Sequence, residues 1–367
     1  MKKLLAIFCI CVVFSILIYF FLKKDNQKQN LNTISSSVST AKKEKQRPIQ
    51  SVREETAEFV PYWTVDEFVQ ESANRYIYFG VSVNREGVDR SEAGYKQLNN
   101  FRKKITVGKK LLTIRMLNDE INNAVLSDRS SWKTIAEDIT SIASANEFDG
   151  VVLDLEVSGL SFDSVVSNIH SFISVLADEV HAKHLSMGVL MFGDTYYRKR
   201  PYFVKEIAEI SDEVLVMAYD FHKARGESGP NFPLAGVERY GYDFQTMVGD
   251  FLRDVPSEKL TIVFGMFGYD WQVDEKKRPI KPAQAMTLME IQKKFLNQCE
   301  WQDCVVRRDK ESAETEINYV KSEIIDTYAS MYMHIVWFED KQSVEKKKEF
   351  LKKQGIGSTG YWAWGYF

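Results

Sequence analysis

From Glu58 to the C-terminus, short and almost continuously apolar runs alternate with longer amphipathic stretches. The runs are FVPYW (59–63), RYIYFGVSV (75–83), KLLTIRM (110–116), GVVLDLE (150–156), LSMGVLMF (185–192), EVLVMAY (213–219), KLTIVFG (259–265) and STGYW (358–362). Parallel strands covered on both faces read in this way, because neither face needs polar residues. Segments 130–147 and 162–184 instead carry apolar residues at helical spacing. Eight such β–α units predict a (β/α)8 TIM barrel of the α/β class over residues 58–367. A doubly wound open sheet is the competing arrangement. It normally has a glycine-rich phosphate turn after its first strand, and FVPYWTVDEF has none. The interval between the seventh and eighth runs is too long for one helix. It holds a predicted MTLMEIQKKFLNQ helix, an apparent strand pair at CVVRR and MHIVWF, and a final SVEKKKEFLKKQG helix. It is read as a small α+β insertion, about 270–340, on the barrel's top face.

Ahead of this domain the pattern is different. Residues 4–22, LLAIFCICVVFSILIYFFL, carry no charge and only Ser15 as a polar side chain. Such a run matches the roughly 20 residues that cross a bilayer as a helix. A cleaved signal peptide is the alternative, but its apolar core is usually shorter and ends in a small-x-small site, which is missing here. Residues 1–23 are therefore expected to be a single-pass transmembrane signal-anchor. Lysines flank the run on both sides, so charge does not orient it. Residues 24–57 are rich in Lys, Gln, Ser and Asn and nearly free of large apolar groups, the composition of a disordered linker.

Composition narrows the chemistry. The apolar fraction of 44% suits a large core, and the net charge of -3 points to no nucleic-acid partner. The five histidines form no convincing ligand set, and no metal or organic cofactor is expected. Cys299 and Cys304, in CEWQDC, read equally as a local disulfide or as two free thiols.

The most informative chemistry lies at the end of the fourth run. Side chains two apart on a strand share a face, so Val152, Asp154 and Glu156 point the same way. Catalytic groups of TIM barrels lie at the C-terminal strand ends. Two carboxyls placed there raise one another's proton affinity, which keeps one protonated as a general acid.

Asp149, Gly150, Asp154 and Glu156 match the DGxDxDxE signature of glycoside hydrolase family 18, the chitinase family, and Met217-Ala218-Tyr219-Asp220 matches its M-x-Y-D. Gly360-Tyr361-Trp362 falls where that family places a tryptophan floor. The chain thus resembles family 18, and GESGPNFPLAG (226–236), GYDW (268–271) and VWFED (336–340) resemble its bacterial spore-cortex and peptidoglycan-lytic branch. The resemblance implies Glu156 as acid and then base, with the substrate's acetamide oxygen as nucleophile. Asp154 and Tyr219 would hold the acetamide; Asp220, Met217, Tyr269 and Trp362 would bind the sugar. It implies a polysaccharide substrate bearing N-acetyl groups and a catalytic domain outside the cytoplasm; with the apolar run as its anchor, the protein is expected to be a membrane-anchored monomer.

Two positions depart from the family pattern. Val152 replaces the first acid of DxDxE, which is expected to change how Asp154 titrates. KLLTIRMLND replaces the usual Ser-x-Gly-Gly of the third strand. A non-catalytic, chitinase-like glycan-binding protein is the competing function. Such relatives usually lose the Glu, the Asp or the Tyr, all of which are present here. A barrel using Asp154 and Glu156 as metal ligands would need more acids or histidines nearby than the strand ends offer.

Overall fold

The computed structural model describes residues 54–157, 161–325 and 328–367, and its main body is a closed barrel of eight parallel strands. The staves are β1 (Glu55–Pro61), β2 (Arg75–Asn84), β4 (Lys109–Met116) and β5 (Gly150–Leu155), followed by β6 (Ser186–Phe192), β7 (Glu213–Ala218), β8 (Leu260–Gly265) and β14 (Ser358–Trp362). The two-residue β3 (Gly87–Val88) folds back on the end of β2. The order β1-β14-β8-β7-β6-β5-β4-β2 closes where β1 pairs in parallel with β2. All eight apolar runs are staves, with ends shifted by a few residues. β1 begins at Glu55, so the last three residues of the stretch read as linker are strand. The expected transmembrane segment lies outside the described residues. Among the described residues no helix is long and apolar enough to cross a membrane.

Strand alternation divides the barrel's apolar residues into two sets. Phe59, Ile77, Leu111, Val152, Leu215 and Val263 form a cluster with Leu190 and Met217 inside the ring of strands. Their neighbours, such as Val60, Tyr78, Leu112 and Leu153, belong to the larger cluster shared with the helices. These are α1 (Ala93–Lys104), α2 (Asp119–Ser127), α3 (Trp132–Ala145), α4 (Asp163–Ala182), α5 (Val204–Ile210), α6 (Phe244–Leu252) and α7 (Lys341–Lys353). Helix α4 buries Val166, Ile169, Phe172, Ile173, Leu176 and Val180, one stripe at helical spacing. Each large side chain in it contributes roughly 1.5–3 kcal/mol of transfer free energy before ordering costs. Polar caps set several helix starts. Asn118 accepts from the Ile121 N–H at 3.0 Å, and Asp243 from the Thr246 N–H at 2.8 Å. At the barrel's N-terminal end Arg75 is buried and donates to Glu213 at 2.6 Å and to Ser358 at 2.9 Å.

Between β8 and α7 lies a five-stranded antiparallel sheet. Its strands are β9 (Phe267–Val273), β10 (Gln284–Thr287), β11 (Gln302–Arg308), β12 (Thr315–Ile325) and β13 (Tyr328–Phe338), in the order β10-β9-β13-β12-β11. The insertion exists as expected, but two details differ. CVVRR and MHIVWF are not paired: β12 separates them. The predicted MTLMEIQKKFLNQ helix is broken. Met286 and Thr287 belong to β10, Leu288–Ile291 make one α turn, and Gln292–Leu296 make a π turn. Apolar spacing could not register this break, because the same Met286, Ile291 and Phe295 fill the sheet's core as strand and turn residues. Cys299 and Cys304 are disulfide-bonded.

One buried ionic cluster joins the insertion to the barrel. Lys347 of α7 is fully buried and contacts Glu314 at 3.0 Å and also Glu339. Glu314 in turn accepts from the backbone N–H groups of Asn231 and Phe232 at 2.6 and 2.8 Å. Thus GESGPNFPLAG and VWFED, the segments that resemble the spore-cortex branch, are linked through Glu314 and Lys347. The next residue, Asp340, caps α7 through Ser343 and pairs with Arg308.

Candidate active site

The strand period that fills the barrel with Val152 places Asp154 one step above it, and Glu156 immediately after β5. Asp154, Glu156, Met217, Tyr219, Asp220 and Trp362 all line one cleft of about 530 Å3 at this end. Tyr269 lines it from β9, so all seven sequence-derived site residues meet in one place.

The backbone carrying Glu156 is held from three sides. Its N–H donates to Met116 O at 2.9 Å. Asn122, buried on α2, donates to Met116 O at 2.8 Å and to Glu156 O at 2.7 Å. The Tyr202 hydroxyl donates to Leu155 O at 2.6 Å and accepts from the Val157 N–H at 3.1 Å. A loop residue directly after a strand would otherwise be free to swing.

Burial dominates the electrostatics. It pushes the Asp154 carboxyl well above the usual range, the nearby Glu156 adds to the rise, and Arg115 opposes it. Burial also raises Glu156, against Lys223 and Arg200, which favour its ionised form. Removing a carboxylate from water penalises the charge, so burial shifts both groups towards the protonated form. Asp154 Oδ1 is buried with no hydrogen-bond partner. Arg115, across the β4–β5 ladder from Asp154, is itself engaged by Glu92 at 2.7 Å and stacks near Tyr62 and Phe79.

Tyr219 lies nearly parallel to Trp362, ring centroids 6.4 Å apart and planes at 22°. Phe79 meets the Trp362 ring edge-on at 4.6 Å. Gly265 makes room for this arrangement, since a Cβ there would fall 2.5 Å from the Tyr219 Cβ. Asp220 takes a left-handed backbone with φ of 58°, held by a 2.7 Å bond from its N–H to Asn231 Oδ1. Its carboxylate accepts from the Tyr269 hydroxyl at 2.8 Å, and burial raises its proton affinity.

Several cleft and support residues carried no legible signal in the sequence. Trp63 ends the first apolar run but follows β1, is 47% exposed, and lines the cleft. Thr287 and Glu290 bring the insertion to the cleft wall. Among the described residues no three His, Cys, Asp or Glu side chains converge where a metal ion could be held.

Comparisons with known proteins agree with this geometry. Residues 22–366 match the sequence model of the glycosyl hydrolases family 18. Among curated proteins, the uncharacterized glycosylase YvbX of Bacillus subtilis is 23% identical over 253 residues, 67% of this chain and 66% of that protein. The cortical fragment-lytic enzyme of Bacillus anthracis is 25% identical over 166 residues, 44% of this chain and 33% of that protein. The chain spans between 33% and 66% of the length of these relatives. Among solved structures, the Bacillus cereus spore cortex-lytic enzyme SleL superposes with a TM-score of 0.66 at 18% identity, covering 86% of this chain and 71% of that one. The class V chitinase from Nicotiana tobaccum gives 0.72 at 14%, covering 85% and 94%. At these identities the structural likeness is one of fold. The family match spans nearly the whole chain, and with it the chain belongs to the glycosyl hydrolases family 18.

Proposed function

We propose that this protein is a membrane-anchored retaining glycosidase of N-acetylglucosamine-containing glycan, with chitin-like chains or peptidoglycan glycan as substrate. The observation that carries the reading is the buried Asp154 carboxylate oxygen without a partner, in the same cleft as Glu156, Tyr219 and Trp362. A sugar stacked on Trp362 presents its C2 acetamide to Asp154 and Tyr219. Asp154 accepts the acetamide N–H and Tyr219 orients the group. Protonated Glu156 donates to the glycosidic oxygen as the acetamide oxygen attacks C1, giving an oxazolinium ion and the free leaving sugar. Glu156, now ionised, takes a proton from water, which adds to C1 from the leaving-group face and restores the acetamide. Two inversions leave the anomeric configuration retained, and no second enzyme carboxylate acts as nucleophile. Met217, Asp220 and Tyr269 shape the site around the sugar.

The curated relatives named as cortical fragment-lytic enzymes favour peptidoglycan glycan, while the chitinases share the fold at lower identity. Residues 1–23 serve as the anchor and 24–54 as the tether. The barrel domain works as a monomer on the outer side of the membrane. The Cys299–Cys304 disulfide fits an oxidising compartment.

The test is hydrolysis by the full chain of N-acetylglucosamine oligomers and purified peptidoglycan, with proton NMR of the first-formed anomer. Retention, inhibition by a thiazoline analogue and loss of turnover in Glu156→Gln with binding kept are expected. Binding without cleavage of either substrate would instead make the protein a glycan-binding relative.

A further inference from the structure

A second, smaller recess of about 60 Å3 opens beside Glu156. It shares Glu156, Met217, Tyr219 and Asp220 with the main cleft but is completed by Phe192, Asp194 and Lys223 rather than by Trp362. Its size is far below that of a sugar ring, yet several times the space one water needs. It suits a small polar substituent projecting from a sugar held in the main cleft.

The charge around this recess is unusual for a site built on carboxylates. Asp194 is buried and already bound by two guanidiniums, Arg198 and Arg200. Arg200 also lies 3.6 Å over the Phe192 ring, and the Lys223 ammonium lies 5.4 Å from the same ring. Lys223 makes neither a side-chain hydrogen bond nor an ion pair with any described residue, although its field reaches both Glu156 and Asp220. Among the described residues Lys223 is the one cation that lines the recess, and of its acids Asp194 is already matched by Arg198 and Arg200 while Asp220 accepts from Tyr269. A neutral N-acetylglucosamine chain supplies no charge to pair with the Lys223 ammonium. A muramyl sugar that carries no peptide does, because its 3-O-lactyl group then ends in a free carboxylate.

We infer that Lys223, flanked by Arg200, is a specificity-determining residue that pairs with a carboxylate-bearing substituent on a sugar next to the scissile bond, selecting muramyl glycan over chitin-like chains. The inference rests on the glycosidase reading above and narrows its substrate. An ammonium–carboxylate hydrogen bond in a partly enclosed recess is stronger than a neutral one, and its loss costs roughly tenfold or more in affinity.

The experiment compares chitotetraose with the tetrasaccharide of alternating N-acetylglucosamine and N-acetylmuramic acid, using the full chain and its Lys223→Met and Lys223→Arg forms. Dissociation constants are measured in a Glu156→Gln background, and kcat/KM in the active background across pH. Lys223→Met should lower the preference for the muramyl substrate about tenfold in both measurements, with Lys223→Arg restoring most of it. Methyl-esterifying the lactyl carboxylate should abolish the preference in the unmutated chain. An unchanged preference, even with a shifted pH profile on both substrates, would leave Lys223 only as an electrostatic neighbour of Glu156 and overturn the inference. If the unmutated chain cleaves neither glycan but binds the muramyl one through Lys223, the glycosidase reading fails while the recognition stands. Binding neither removes both.

Discussion

Tyr202→Phe deletes one hydroxyl and keeps the ring, so it isolates the contacts that frame Glu156. In the structure that hydroxyl bonds Leu155 O at 2.6 Å and the Val157 N–H at 3.1 Å, and the side chain is 9% exposed. The substitution leaves two buried backbone groups without a partner. A hydrogen bond of this kind contributes about 1 kcal/mol net, and an orphaned buried group costs about 1–3 kcal/mol. The expected loss of folding stability is therefore roughly 2–4 kcal/mol, read by urea unfolding. The catalytic effect is separate. In the proposed mechanism Glu156 must reach the glycosidic oxygen, and a displacement of about 1 Å costs on the order of a hundredfold. Single-turnover hydrolysis should show kcat reduced about tenfold to a hundredfold, while KM stays within about twofold because the Trp362 floor is untouched. A stability loss of the expected size with unaltered kcat would refute the positioning role. The hydroxyl would then hold the fold and nothing more.

Other perturbations test other parts of the molecule. Burial, with help from Glu71, raises the Glu58 carboxyl from 4.5 to about 7; such a group stabilises the fold below its unfolded value and loses that contribution as pH rises through 7. Glu58→Gln should therefore flatten the pH dependence of urea unfolding between about pH 4.5 and 7, a difference on the order of 3 kcal/mol. Lys347→Met leaves Glu314 and Glu339 buried without their cation, and Glu339 is already pushed up to about 8. It should cost about 3–5 kcal/mol in chemical denaturation, and a loss below about 1 kcal/mol would show that the cluster is already neutral. Gly265→Ala puts a methyl against Tyr219. It should lower kcat on N-acetylated oligomers at least tenfold, with a much smaller fall in melting temperature than Lys347→Met produces.

The parts legible in the sequence are those that depend on local pattern. Strands sealed on both faces are apolar without interruption, so all eight staves stand out, and the period of two carries the eye from Val152 to Asp154 and Glu156. What stays hidden depends on contacts between distant positions. Nothing around Tyr202 marks it as the partner of Leu155 and Val157, 45 or more residues away. Nothing in SVEKKKEFLKKQG separates Lys347, fully buried, from the exposed Lys346 beside it. Within the insertion, β12 escapes detection because EINYVKSE alternates only from Glu316 to Tyr319 and turns polar from Lys321, rather than forming a solid apolar run.

Val152 changes where the site's proton resides. An acid at that position would sit inside the strand ring among Leu111, Leu190 and Leu215, and could share a proton with Asp154. With valine there, the carboxyl that raises Asp154 is Glu156, alongside burial. The two carboxyls therefore titrate as a pair, and their proton is not the property of either one. Arg115 favours ionisation at the Asp154 end, while Lys223 and Arg200 favour it at Glu156. Substrate decides between them. An acetamide N–H donated to Asp154 stabilises its carboxylate, and that charge then makes Glu156 harder to ionise. In the proposed mechanism, binding of an N-acetylated sugar thus moves the shared proton onto Glu156, the residue that delivers it. The alkaline limb of kcat should accordingly lie at higher pH than that of kcat/KM. Coincident limbs would mean that Glu156 holds its proton without help from the substrate.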